Sequence, residues 1–181
     1  TPAANYHFVN WTGDATGSTN PLTVTMDGNK TITANFAINT YTLTVNATNG
    51  TVAKNPDQAT YDHGASVQLT ATPAAGYHFV NWSGDASGST NPLTVTMDGN
   101  KSITANFSIN TYTLTVSATN GTVAKNPDQA TYDHGASVQL TATPAAGYSF
   151  VNWSGDASGS TNPLTVTMDG NKTITANFAI N

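Results

Sequence analysis

From Tyr41 the chain alternates: Tyr41, Leu43, Val45 and Ala47 fall on one face and Thr42, Thr44, Asn46 and Thr48 on the other, the two-residue period of a half-buried strand. Asn49-Gly50 follows, a dipeptide that tolerates positive φ at both centres of a type I′ turn. It predicts a hairpin with Thr51-Val52-Ala53 returning and Ala47 facing Val52. Lys54 to Ala65 reads as a loop with a short extended piece at Tyr61. Ser66 to Thr72 alternates again, with Val67, Leu69 and Ala71 inward and Pro73 ending the strand. Tyr77 to Trp82 sets Tyr77 and Phe79 on one face and Val80 and Trp82 on the other, which predicts a strand covered on both sides. Gly84 to Asn91 is turn material. For the last two strands, Leu93 to Met97 and Lys101 to Phe107, parity selects a three-residue Asp98-Gly99-Asn100 loop that sets Val95 against Ile103 and Leu93 against Ala105. No stretch has a useful helical period, so the fold class is all-β, with five or six strands per unit.

The pattern then recurs. Thr40–Asn110 and Thr111–Asn181 are 71-residue copies that differ at four positions, Asn46/Ser117, His78/Ser149, Ser102/Thr173 and Ser108/Ala179. Thr1–Asn39 matches Thr72–Asn110 at all but five positions. The domain expectation is therefore residues 1–39 as the C-terminal part of a repeat, 40–110 as a complete repeat and 111–181 as another. A period this long exceeds the roughly 20 to 45 residues of solenoid repeats and suits a tandem array of small β modules. The linker Ser108-Ile109-Asn110-Thr111 has no Gly or Pro, and Ile109 can pack between neighbours, so consecutive modules should be held stiffly. The partial copy is expected to be ordered only by strands from the next module or from another chain. Modules running from Tyr41 to Phe107 would pack Trp82 against Val45 and Leu69 of the same copy, whereas modules combining Tyr6 to Phe36 with Tyr41 to Ala71 would pack it against Val116 and Leu140 of the following copy.

Charge narrows the partners. Five basic residues, all Lys, face ten acidic ones, all Asp, for a net charge of −5. Without a basic stripe, no nucleic-acid partner is expected, and anionic membrane surfaces are poor candidates. No apolar run approaches the roughly 18 residues of a membrane span. The absence of cysteine removes disulfides, thiolate chemistry and Cys-based metal sites.

The order YTLTV, NG, Tyr61 near Gly64, PAAGYHFVNW and a closing ITANF resembles the divergent form of the internalin B-repeat, a module strung in tandem in bacterial surface proteins. The element Gly76, Tyr77, Phe79, Trp82 carries most of the likeness; the first copy departs from it with Asn5 in place of Gly. The resemblance implies a β-grasp-related module or small β-sandwich, an extracellular location on the bacterial surface, and a stalk or adhesion role. It implies no catalytic residues.

Candidate chemistry is thin. Ser66, His63 and Asp62 contain the residue types of a relay, but neighbours on one turn do not form one, and His78 is Ser149 in the last copy. The expectation is no enzyme, with no catalytic, cofactor-binding or metal residues and no cofactor. Asp85-Ala-Ser-Gly-Ser-Thr-Asn91, repeated from Asp14 and Asp156, spaces oxygens somewhat as a calcium loop does. With one carboxylate it suits a polar turn whose Asp caps backbone amides better. Trp11, Trp82 and Trp153 could stack on a sugar, but flanked by Val and Phe they read as core anchors. The Thr pairs Thr42/Thr44, Thr94/Thr96 and Thr113/Thr115 suggest ice binding only if they form one lattice. The sequence thus points to a non-enzymatic structural array, a stalk, spacer or fibre segment of a secreted bacterial surface or adhesin-like protein. Its expected partners are neighbouring repeats and other copies through exposed sheet edges. The alternative is a multivalent module for a glycan or protein ligand.

Overall fold

A computed structural model describes all 181 residues. In chain order the strands are β1 (Tyr6–Gly13), β2 (Ile32–Ile38), β3 (Thr40–Tyr41), β4 (Leu43–Ala47), β5 (Gly50–Asn55), β6 (Tyr61–Asp62), β7 (Ser66–Pro73), β8 (Tyr77–Gly84), β9 (Leu93–Thr96) and β10 (Lys101–Ile109). The third copy continues with β11 (Thr111–Tyr112), β12 (Leu114–Ala118), β13 (Gly121–Asn126), β14 (Tyr132–Asp133), β15 (Ser137–Pro144), β16 (Tyr148–Gly155), β17 (Leu164–Thr167) and β18 (Lys172–Ile180). The protein is all-β, without a helix. It forms two compact units, Thr1–Ala71 with Asn81–Asn106, and Thr72–Val80 with Phe107–Asn181.

In the second unit β12, β18 and β16 form one three-stranded sheet and β13, β15 and β17 another, with β11 and β14 a short ribbon. β12 runs parallel to β18, from Leu114 opposite Lys172 to Ala118 opposite Ala176, and β16 is antiparallel to β18. Both sheets feed one core: Leu114, Trp153, Ile174 and Ala176 from the first, Val138, Leu140, Ala142 and Val166 from the second, with Tyr132 and Met168. Trp153 therefore clusters with Leu140 and, at the margin, Val116 of its own copy. A small β-sandwich results. The Tyr132 hydroxyl, at the buried end of its ring, donates to the Pro127 carbonyl at 2.9 Å and accepts from the Gln129 amide at 3.1 Å. That winds the preceding loop around the phenol.

The first unit repeats this plan. β4 lies parallel to β10, Val45 opposite Ile103 and Ala47 opposite Ala105; β7 pairs with β9, Val67 opposite Val95 and Leu69 opposite Leu93. Leu43, Tyr61, Val67, Leu69, Ala71, Trp82, Val95, Met97, Ile103 and Ala105 are buried. Those inward positions on β4, β7 and β9 are the ones the alternation marks.

On these strands the alternation gives the faces correctly but not the partners. Ala47 does not face Val52, because β4 and β5 belong to different sheets. The Asn-Gly corner carries the chain from one layer to the other. Asn120 takes φ 64, but Gly121 lies outside the left-handed region, so this is no type I′ turn. The Phe178 ring occupies the space beside Gly121, and the chain turns over that ring rather than back along β12. Likewise Val95 pairs with Val67 and Ile103 with Val45, not with each other. Parity could not separate these alternatives, since both point the apolar residues into the same interlayer core. Asn100 settles the join: its Oδ1 accepts the Thr42 amide at 2.9 Å, and the Lys101 amide donates to the Thr42 carbonyl at 3.0 Å.

A bulge corrects a third expectation. In the third copy Phe150 is opposite Phe178 while Asn152 is opposite Asn177, leaving Val151 as the extra residue; the first copy slips in the same way between Phe8 and Asn10. The slip shifts the parity, so Phe150 and Trp153 share a face with ring centroids 5.2 Å apart, and Val151 is exposed. The strand is thus not covered on both sides.

In the first copy β1 and β2 form a hairpin within the first unit. Leu22 to Thr25, the counterpart of β9 and β17, is not a strand, because residues 1–39 contain no counterpart of β7 for it to pair with. Met26 is accordingly 71% exposed, against 0% for Met97 and Met168.

Candidate functional site: the repeat junction and its polar clasps

The sequence marks the linker only as lacking Gly and Pro; the structure reduces it to one residue, Asn110, between β10 and β11. The Asn110 amide donates to the Gly76 carbonyl at 2.8 Å, and its carbonyl accepts the His134 amide at 2.8 Å. Its side-chain oxygen meets His78 Nδ1 at 2.8 Å. One Asn thus ties the hairpin turn of the second copy to the Tyr132–Gly135 turn of the third. The His134 ring fills the space beside Gly76, where a Cβ would collide with it, and stands edge-on to Tyr112 at 6.0 Å.

The first unit contains the same joint. Asn39 donates to the Asn5 carbonyl and accepts the His63 amide, both at 2.8 Å, and its side chain meets His7 Nδ1 at 3.1 Å. Asn5 holds the left-handed conformation of Gly76, φ 65 against 78, which Asn tolerates better than other side-chain-bearing residues. This explains how the first copy departs from Gly without losing the turn. His7, His63, His78 and His134, all the histidines of the chain, lie at these joints.

The calcium-like loop is a clasp. Asp156 Oδ2 accepts the Thr173 amide at 2.7 Å, while the Asp156 amide donates to the Thr173 carbonyl at 2.9 Å. Asp85 with Ser102 and Asp14 with Thr31 repeat it. The loop that follows closes on the Trp: the Trp153 amide donates to Gly159 O at 2.8 Å and its indole N–H to Thr161 O at 2.9 Å. Further along, Asn162 caps a strand edge, its Oδ1 accepting the Ala142 amide at 3.0 Å and its Nδ2 donating to the Ala142 carbonyl at 2.8 Å.

Trp82 and Trp153 are each 1% exposed, and Trp11 is half-buried. None of the three is an open stacking platform. His63 lies edge-on to Tyr41, and its buried Nδ1 has no hydrogen-bond partner, so neither Asp62 nor Ser66 is coupled to it through that nitrogen. Thr44 lies on β4 and Thr94 and Thr96 on β9, in different sheets, so they form no common lattice. No ligand-sized cavity opens on the surface, and nowhere do three His, Cys, Asp or Glu side chains converge as metal ligands would.

The charges pair locally. Every lysine has an Asp three residues away, Lys30–Asp27, Lys101–Asp98 and Lys172–Asp169 at 2.7 Å and Lys54–Asp57 and Lys125–Asp128 at 2.9 Å. Hydrogen bonding to Lys101 and Lys172 holds the Asp98 and Asp169 carboxyls below the usual carboxylate range. Bonds to Asp57 and Asp128 raise Lys54 and Lys125.

The family model described as the divergent InlB B-repeat domain matches residues 1–40, 41–111 and 112–181. No curated protein and no solved structure matches the chain. Three successive matches account for the whole sequence, and their limits fall beside Asn39 and Asn110, the residues that tie one copy to the next. The chain belongs to the divergent InlB B-repeat domain family.

Proposed function

We propose that this chain is a non-enzymatic spacer, a run of modules that sets the reach of a secreted bacterial surface or adhesin-like protein. The observation that supports it is the joint at Asn39 and Asn110. With one residue between strands, a backbone hydrogen bond from the next copy to an Asn that is itself bonded into its own copy, and, at Asn110, the His134 ring of the next copy seated on Gly76, a joint of this kind resists swivelling, and reach then grows with copy number. The paired lysines and the membership of a B-repeat family fit an extracellular segment with neighbouring repeats as its main partners.

Small-angle X-ray scattering tests the reading. The wild-type chain should scatter as a single stiff particle, and inserting Gly-Ser-Gly-Ser between Asn110 and Thr111 should convert the profile to that of flexibly linked beads. A wild-type profile already that of freely jointed beads would remove the basis for a spacer.

A further inference from the structure

The bulge leaves a patch that the spacer role does not use. Phe150 and Trp153 both face inward although two residues separate them, so Val151 and Asn152 both face outward. Val151 keeps 46% of its surface exposed. Beside it Asn177 Nδ2 donates to Asn152 Oδ1 at 2.8 Å and to Ser154 Oγ at 2.9 Å. The first copy builds the same group: Val9 is 43% exposed, and Asn35 Nδ2 donates to Asn10 Oδ1 at 2.9 Å and Thr12 Oγ1 at 3.0 Å. In the second copy Asn106 Nδ2 bonds Asn81 Oδ1 and Ser83 Oγ, each at 2.9 Å. Where Ser gives way to Thr, the accepting hydroxyl remains.

These bonds orient both amides, since Asn177 gives its Nδ2 protons and Asn152 its Oδ1. Both protons of Asn177 Nδ2 are used, which leaves its Oδ1 as an acceptor, while Asn152 keeps its Nδ2 protons and Ser154 its hydroxyl proton. Donors and acceptors therefore stand in a set order on a rigid strand pair, next to an apolar side chain. No Asp or Lys belongs to the group, and the chain's net charge of −5 disfavours anions. An uncharged, ordered donor–acceptor set with an adjoining apolar contact matches a sugar ring, whose vicinal hydroxyls alternate as donor and acceptor and whose C–H face is apolar.

We propose that each copy carries a weak site for a neutral saccharide, with Asn177 Oδ1 and Asn152 Nδ2 pairing with adjacent hydroxyls and Val151 under the ring. Asn35, Asn10 and Val9 take the same parts in the first copy, and the Asn106–Asn81 pair in the second. One shallow site binds weakly; repetition along a polymer supplies avidity. The proposal stands independently of the spacer reading, since a stiff or a flexible array could carry such sites.

The test is an NMR titration of the intact chain with neutral gluco- and manno-oligosaccharides of about six sugars, with polygalacturonate as the anionic control. The side-chain amide signals of Asn35, Asn106 and Asn177 should shift with at least one neutral series, equally at low and high salt. The corresponding polysaccharide should bind at least about tenfold more tightly than the oligosaccharide. Changing Asn35, Asn106 and Asn177 together to Ala should weaken binding at least about tenfold. Val9→Asp with Val151→Asp, at exposed positions where folding is not at stake, should do the same with an unchanged melting temperature. Silence of the amide signals at about 10 mM of every neutral probe would overturn the proposal, as would undiminished binding by the folded valine variant. Salt-sensitive binding of polygalacturonate alone would overturn it too.

Discussion

The ring of Phe178 packs so closely on Gly121 that a Cβ at that glycine would lie 2.6 Å from the ring and 2.7 Å from the Thr143 carbonyl oxygen. The glycine is there for the approach and not for its φ. Gly121→Ala forces the ring and the β13–β15 pair apart, an overpacking change expected to cost about 1 to 3 kcal/mol. Thermal melting of the variant should show the loss as a drop of roughly 4 to 8 °C per kcal/mol. An unchanged midpoint would mean that the corner is loose.

The three Trp residues provide an internal comparison. Trp153 is 1% exposed and holds its loop through two hydrogen bonds, so Trp153→Ala should cost about 3 to 5 kcal/mol. Half-buried Trp11 should cost distinctly less on the same change. Equal losses in denaturant titrations would show that Trp11 is packed as its counterparts are.

Asp156 serves backbone amides rather than a metal. Asp156→Ala removes the Thr173 amide's acceptor at an exposed site and should cost about 0.5 to 1.5 kcal/mol, while Asp156→Asn keeps an accepting oxygen and should lose less. Chelator should leave the wild-type melting temperature in place. A fall of several degrees with chelator would reinstate a calcium loop.

The ion pairs set the direction of the pH response. Asp98 and Asp169 are lowered, so their contribution is present above the ordinary carboxylate value and is lost as pH falls through their depressed values. Lys54 and Lys125 are raised, so theirs is present below the ordinary lysine value and is lost as pH rises through the raised ones. Between about pH 5 and 9 these pairs should add no slope, and because their carboxylates stand in solvent, 1 M salt should shift melting by no more than about 2 °C. Melting curves of wild type and Asp169→Asn should diverge between those limits and converge toward acid. A difference that persists at about pH 2 would assign the Asp169 effect to something other than its charge.

What the sequence could disclose follows from what each residue decides. Val67, Leu69 and Ala71 face inward as their alternation demands, because a period of two is a property of the strand alone. Which strand lies beside which is decided elsewhere: by Phe178 over Gly121, by the Asn100 side chain bonded to Thr42, and by the one-residue slip at Val151. Each is a contact between residues distant in sequence, and a hydrophobic pattern leaves it undetermined. The joint was half visible. A linker without Gly or Pro implied stiffness, but the bonds from Asn110 to Gly76, His78 and His134 depend on turns that no local pattern brings together. The bulge patch was hidden for the same reason, since without the slip Val151 reads as core.

The claim that consecutive copies are joined firmly at a single asparagine is tested most directly by native-state hydrogen exchange at the His134 amide, which donates across the joint to Asn110, with the His63 amide on Asn39 as the second case. Each of these two amides donates a backbone hydrogen bond across its joint at 2.8 Å, so both should be protected to nearly the same degree as the Leu140 and Trp153 amides of the core and should exchange with them. Exchange at open-loop rates while Leu140 and Trp153 remain protected would show that the modules swivel freely, and would contradict the account.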